Sequence, residues 1–175
     1  MVKNIFTSGK EFCALCKNEY DSERNRTSVI DSKTNIVISF TAVFFVAVVQ
    51  AINLAKIFSI EINATQKISA LILPSVVLIA IIGALTISLL SIFTFVRVIR
   101  THTYQIIDPV AFYDADILRS HPNEFSILLA QKYIEATQAN YFINNQRTRL
   151  YHRGLVLLVI AIVLFALYMC LISFI

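Results

Sequence analysis

Cys13 and Cys16 form a C-x-x-C, the first pair in this sequence whose spacing could carry chemistry. A structural zinc site needs four ligands. No second C-x-x-C and no paired histidines follow, because His102, His121 and His152 are scattered. A redox role would sit beside a βαβ pattern, and none is present. On a helix the spacing places two small apolar residues on one face, so packing is the expectation. Asp108, Asp114 and Asp116 have the chemistry for a metal ion, but they read as solvated loop charge. There is no G-x-S-x-G, P-loop or H-E-x-x-H. The sequence points to no catalytic residue, no metal, no cofactor and no enzymatic activity.

More is told by polar residues inside apolar sequence. Gln50 and Asn53 lie one turn apart, with Ser39 on the same side at 100° per residue. Further on, Gly83, Ala84, Ser88, Ser91 and Thr94 make a small, hydroxyl-bearing stripe. In hydrocarbon such groups seek hydrogen-bonding partners or close helix approach. Two readings stand: packing of one span on the other, or self-association and the lining of a water path. Arg97, Arg100, Arg147, Arg149, His152 and Arg153 bracket two apolar runs. They read as contacts to anionic lipid headgroups, or to a phosphate-bearing messenger, since arginine offers paired donors to phosphate oxygens.

These residues need apolar elements to hold them, and the composition supplies them. Of 175 residues, 57% are hydrophobic and only 15% charged, with a mean hydropathy of +0.71. Soluble domains run near ~45–50% apolar and ~25% charged. A disordered chain, a disulfide scaffold and a free cytosolic enzyme are therefore excluded as first hypotheses. The net charge of +4 is too mild to argue for direct nucleic-acid binding.

The expected fold class is an all-α membrane protein. It has three transmembrane helices and cytosolic helical extensions, one an N-terminal amphipathic helix and the other a long helix continuing into the last span. Residues 1-34 form the first extension, whose apolar stripe is read as Phe12, Leu15 or Cys16, Tyr20, and Val29 or Ile30. Residues 35-98 hold two spans, about 36-58 and 68-98, joined by a short external turn. Residues 99-153 form a cytosolic loop and long helix starting at Asn123, and residues 154-175 are the third span. Leu129, Tyr133, Ala136, Asn140, Ile143, Arg147 and Leu150 recur along the long helix at three- and four-residue steps. No cleavable signal peptide precedes the first span. Basic residues concentrate before span one and between spans two and three. The positive-inside rule then sets the N-terminus in the cytosol and the C-terminus outside a bacterial inner membrane.

Two stretches carry a resemblance. Asp31, Lys33 and Asn35, running into the first span, resemble the D-x-K-x-N entry of small bacterial membrane effectors of anti-phage signalling systems. Ala130, Tyr133, Ala136, Asn140, Asn144 and Arg147 give a second pattern before the final span. The layout is similar to that of the Pycsar effector family and the related SLATT-type membrane proteins. That resemblance implies a toxic membrane effector of bacterial antiviral defence. On release by a nucleotide second messenger or a partner protein, its homo-oligomers breach or depolarise the inner membrane. The sequence departs from the family in showing no messenger-binding domain, so a partner or the short cytosolic helices would do the sensing. The alternative, of another class, is a non-conducting sensor or scaffold that docks a soluble partner through its cytosolic helices.

Overall fold

The computed structural model describes residues 9–53, 69–100, 104–112 and 121–173. Within them the chain is helical, with no strand. Helix α1 spans Gly9–Gln50, α2 spans Ser69–Arg100 and α3 spans Pro122–Ile172, with a short 3-10 turn at Pro109–Phe112. All three helices are long and apolar enough to cross a membrane. The end of the expected first span (residues 54–58) and the expected external turn lie outside the described residues. So do His102, Asp114 and Asp116.

No breaker interrupts α1 between Gly9 and Gln50 or α3 after Pro122, so each runs unbroken from charged into apolar sequence. Helix α3 starts one residue before the expected Asn123. Proline suits the first helical position, where a missing N–H costs nothing. His121 supplies the cap: its carbonyl accepts from Glu124 N at 2.8 Å, and its Nδ1 accepts from Asn123 N at 3.3 Å. Pro74 lies near the start of α2, where it too does little harm.

Inward positions recur every seven residues. Helix α1 turns Tyr20, Thr34, Thr41 and Val48 fully inward, with Thr27 half-buried between them. Along α3 the series is Ser126, Tyr133, Asn140, Arg147, Gly154, Ala161 and Tyr168, and along α2 it is Val77, Ala84, Ser91 and Val98. A strict seven-residue repeat is the signature of left-handed coiled-coil packing, since it keeps one seam facing a partner.

The chain divides into two compact units: residues 1–32 with 101–148, and residues 33–100 with 149–175. The second is built on Val48, Val77, Ala80, Ile81, Ala84 and Tyr168, with Phe44, Leu164 and Phe165 packed around them. Its outward surface is apolar, with Phe40, Val43, Ile79, Phe93, Val159 and Val163 all exposed. The uncharged stretch Gly154–Ile172 of α3 covers ~28 Å at ~1.5 Å per residue, about the thickness of a hydrocarbon core.

Inside the first unit the expected apolar stripe of α1 is corrected. Phe12 (46% exposed), Leu15 (59%) and Val29 (49%) point outward, while Cys16 and Tyr20 are buried. The seven-residue register decides this, since Cys16 and Tyr20 fall on the seam and Phe12, Leu15 and Val29 fall beside it.

Candidate functional site

The first unit has a polar interior held between α1 and α3. Asn144, fully buried on α3, donates from Nδ2 to the Glu23 carbonyl at 3.1 Å and to the Glu23 carboxylate at 2.8 Å. Its Oδ1 accepts from the Thr27 hydroxyl at 3.0 Å. Acceptors on one side and a donor on the other fix the orientation of the carboxamide. Arg26 Nη2 donates to Asn145 Oδ1 at 2.8 Å, and its guanidinium lies 5.7 Å from the centre of the Tyr141 ring. Arg147, also buried, donates to Asp31. Polar groups withdrawn from water cost several kcal/mol unless partnered. This set is partnered across two helices, so it fixes the register of α1 against α3 more sharply than apolar contacts would.

One turn earlier on α3, Asn140 clamps the connecting segment. Its Nδ2 donates to the Gln105 carbonyl at 3.0 Å and its Oδ1 accepts from Gln105 N at 2.9 Å. The next residue back, Tyr104, sits 6.1 Å from the Tyr20 ring, which is itself 5.5 Å from Tyr133. Burial, with the charges of Tyr20 and Glu23, pushes the Tyr104 phenol up to about 12 from 10.0, and the Arg24 charge and the nearby Asn140 amide offset only part of the rise. Burial raises Tyr133 as well. Because folding favours the protonated phenol, the contribution of Tyr104 is intact below pH 10 and is lost as pH climbs through about 12. Alkaline titration followed by tyrosinate absorbance should show a late step, and Tyr104→Phe should remove it while moving the alkaline unfolding midpoint upward. A profile identical in the variant would contradict the assignment.

Burial also raises both thiols of the C-x-x-C, further helped at Cys16 by Glu19 and opposed at Cys13 by Lys17. Raised thiols resist becoming thiolate ligands or nucleophiles. No cluster of three or more metal-binding side chains occurs among the described residues.

In the second unit, hydroxyls join helices or satisfy their own backbone. Ser91 Oγ donates to the Gly154 carbonyl at 2.9 Å, tying α2 to α3. Gly154 allows that approach: a Cβ there would lie 2.6 Å from Phe95 Cε1. Tyr168, fully buried, donates from its hydroxyl to the Ala51 carbonyl at 2.9 Å and accepts from Asn53 N at 3.4 Å. A side chain of α3 thus holds the residues that directly follow α1, where backbone groups leave the helical ladder. Ser88, Thr94 and Ser39 return their protons to their own helices, at Leu85, Leu90 and Asn35.

No protein-family model, curated protein or solved structure matches this chain.

The sequence-derived residues therefore separate. Tyr133, Asn140, Asn144 and Arg147 come together on the inward face of α3. Asp31 joins them through Arg147, whereas Lys33 and Asn35 are exposed. Consecutive D-x-K-x-N positions lie 200° apart on a helix, so that motif forms no single face. Ser88 and Ser91 are buried, while Ser39, Gln50 and Asn53 are exposed because they fall off the Thr34–Thr41–Val48 series. Arg147 leaves the headgroup set: it is buried and committed to a carboxylate. Arg97, Arg100, Arg149, His152 and Arg153 stay exposed. The residues that sequence reasoning missed are Glu23, Arg26, Thr27, Asn145, Gln105 and Tyr168. The seven-residue series in α1 and α3 could have found Thr27 and Tyr168, whereas the other four lie off it.

Proposed function

We propose that this chain is a multi-pass effector of the bacterial inner membrane. It self-associates in the bilayer and disrupts or depolarises it when a nucleotide signal or a partner protein acts on its charged portion. One observation supports this best: at the end of the uncharged stretch of α1 that follows Lys33, Gln50 is exposed. A carboxamide in or beside hydrocarbon gains ~0.5–2 kcal/mol by finding a partner. A second copy of the same face can provide one. The defence role comes from the resemblance to anti-phage effectors, and the basic residues support a cytosolic N-terminus and an external C-terminus. Glu23, Asn144, Asp31 and Arg147 would then form the fixed frame on which a trigger acts.

The test is induced expression with a membrane-potential dye and in-membrane cross-linking. The wild type should yield cross-linked oligomers and loss of potential, and Gln50→Leu with Asn53→Leu should abolish both. Oligomers without any loss of potential would favour the second reading, a non-conducting sensor or scaffold. The exposed Phe12, Leu15, Tyr141 and Phe142 support that reading, because they offer a soluble partner apolar surface.

A further inference from the structure

The last three turns of α2 border a cavity of about 430 Å3, lined by Leu90, Phe93, Thr94, Val96, Arg97 and Arg100. The lining is graded along the helix. Exposed Leu90, Phe93 and Val96 come first, and two guanidinium side chains one turn apart close the end. Residues three apart share a helix side with Cβ atoms ~5–6 Å apart, close enough to grip one phosphate together. Thr94 donates to the Leu90 carbonyl at 2.7 Å, so its hydroxyl is turned back onto the helix. The helix C-terminus contributes about half a negative charge, and two arginines in its last turn more than offset it.

Each half of the lining excludes a class of ligand. A free soluble anion gains nothing from Phe93 and Leu90, and an uncharged lipid gains nothing from two guanidinium groups. We propose that the cavity seats one anionic phospholipid, with its phosphate against Arg97 and Arg100 and the start of an acyl chain along Phe93 and Leu90. This rests on the reading of the chain as a membrane protein and adds a specific lipid class to it.

The full chain, taken from mixed phosphatidylglycerol–phosphatidylcholine bilayers into mild detergent, is weighed by native mass spectrometry. Phosphatidylglycerol should be retained in preference to phosphatidylcholine. R97Q/R100Q should lower that retention about tenfold, and R149Q/R153Q should leave it unchanged. Phe93→Glu blocks the chain-binding half with both arginines present, and should lower retention similarly even if the glutamine pair does not fold. Equal retention of the two lipids overturns the proposal. So does an equal loss in R149Q/R153Q, or equal thermal protection by glycerol phosphate, which has no acyl chain. Membrane integration is read separately from pelleting after alkaline carbonate extraction, so this proposal can fail while the broader reading stands.

Discussion

Asp31→Ala should destabilise the protein more than Arg147→Met does, although both remove the same ion pair. The Arg147 side chain is 6% exposed and the Asp31 side chain 43%. With the arginine gone, the carboxylate still has water to turn to, and methionine fills much of the vacated volume. With the aspartate gone, a buried guanidinium loses its carboxylate and keeps its desolvation cost. Removing one partner of a buried pair typically costs ~3–5 kcal/mol. The half-exposed carboxylate screens part of this, so about 2–3 kcal/mol is expected for Asp31→Ala and roughly 1 kcal/mol for Arg147→Met. The double variant Asp31→Leu with Arg147→Met should recover most of the loss, because an apolar pair of similar volume is often neutral or stabilising. Thermal unfolding of the three variants in detergent, followed by helical circular dichroism, gives the ordering. If Arg147→Met proved the worse of the two singles, the carboxylate would be the group that needs the pair.

That asymmetry explains why so much of the fold was legible in the sequence and so little of its interior. Lipid-length apolar runs follow from composition, so three long helices could be read directly. The interior could not be found by looking for apolar residues, because α1 packs largely through Tyr20, Thr27, Thr34 and Thr41. Threonine on a helix returns its hydroxyl to its own backbone, as Thr41 does to Val37 at 2.6 Å, and then presents a methyl group to its neighbour. It packs as a small apolar residue while reading as polar. Phe12, Leu15 and Val29 mislead in the opposite direction, being apolar yet outward. Period decided the seam here, and hydropathy did not. Asn140, Asn144 and Arg147 were visible as a pattern, but their partners Gln105, Glu23 and Asp31 lie far away in sequence, and spacing along one helix says nothing about them. The outward position of Gln50 follows from the same register.

Gly154→Leu should be the most damaging single substitution in the second unit. A Cβ at position 154 would meet Phe95 Cε1, Cζ and Cδ1 at 2.6, 2.8 and 3.0 Å, the first two being distances that real contacts do not sustain. Phe95 is fully buried and cannot swing out to solvent, and its ring also packs 5.9 Å from Tyr151. The backbone must therefore separate, which breaks the 2.9 Å bond from Ser91 to the Gly154 carbonyl. Overpacking costs about 1–3 kcal/mol even where some relaxation is possible. Gly154→Ala should fall in that range, partly offset by the better helix propensity of alanine, worth ~1 kcal/mol. Gly154→Leu should exceed it and leave little folded protein in detergent. Shrinking the opposing ring separates steric conflict from any other cause. Phe95→Ala alone should cost ~3–5 kcal/mol through the void it leaves, yet combined with Gly154→Leu it should restore folding, because the new side chain enters the vacated volume. Contacting residues show coupling of ~0.5–3 kcal/mol in such cycles, and a favourable value in the upper half is expected here. Strict additivity would mean that Gly154 is needed for something other than its nearness to the Phe95 ring.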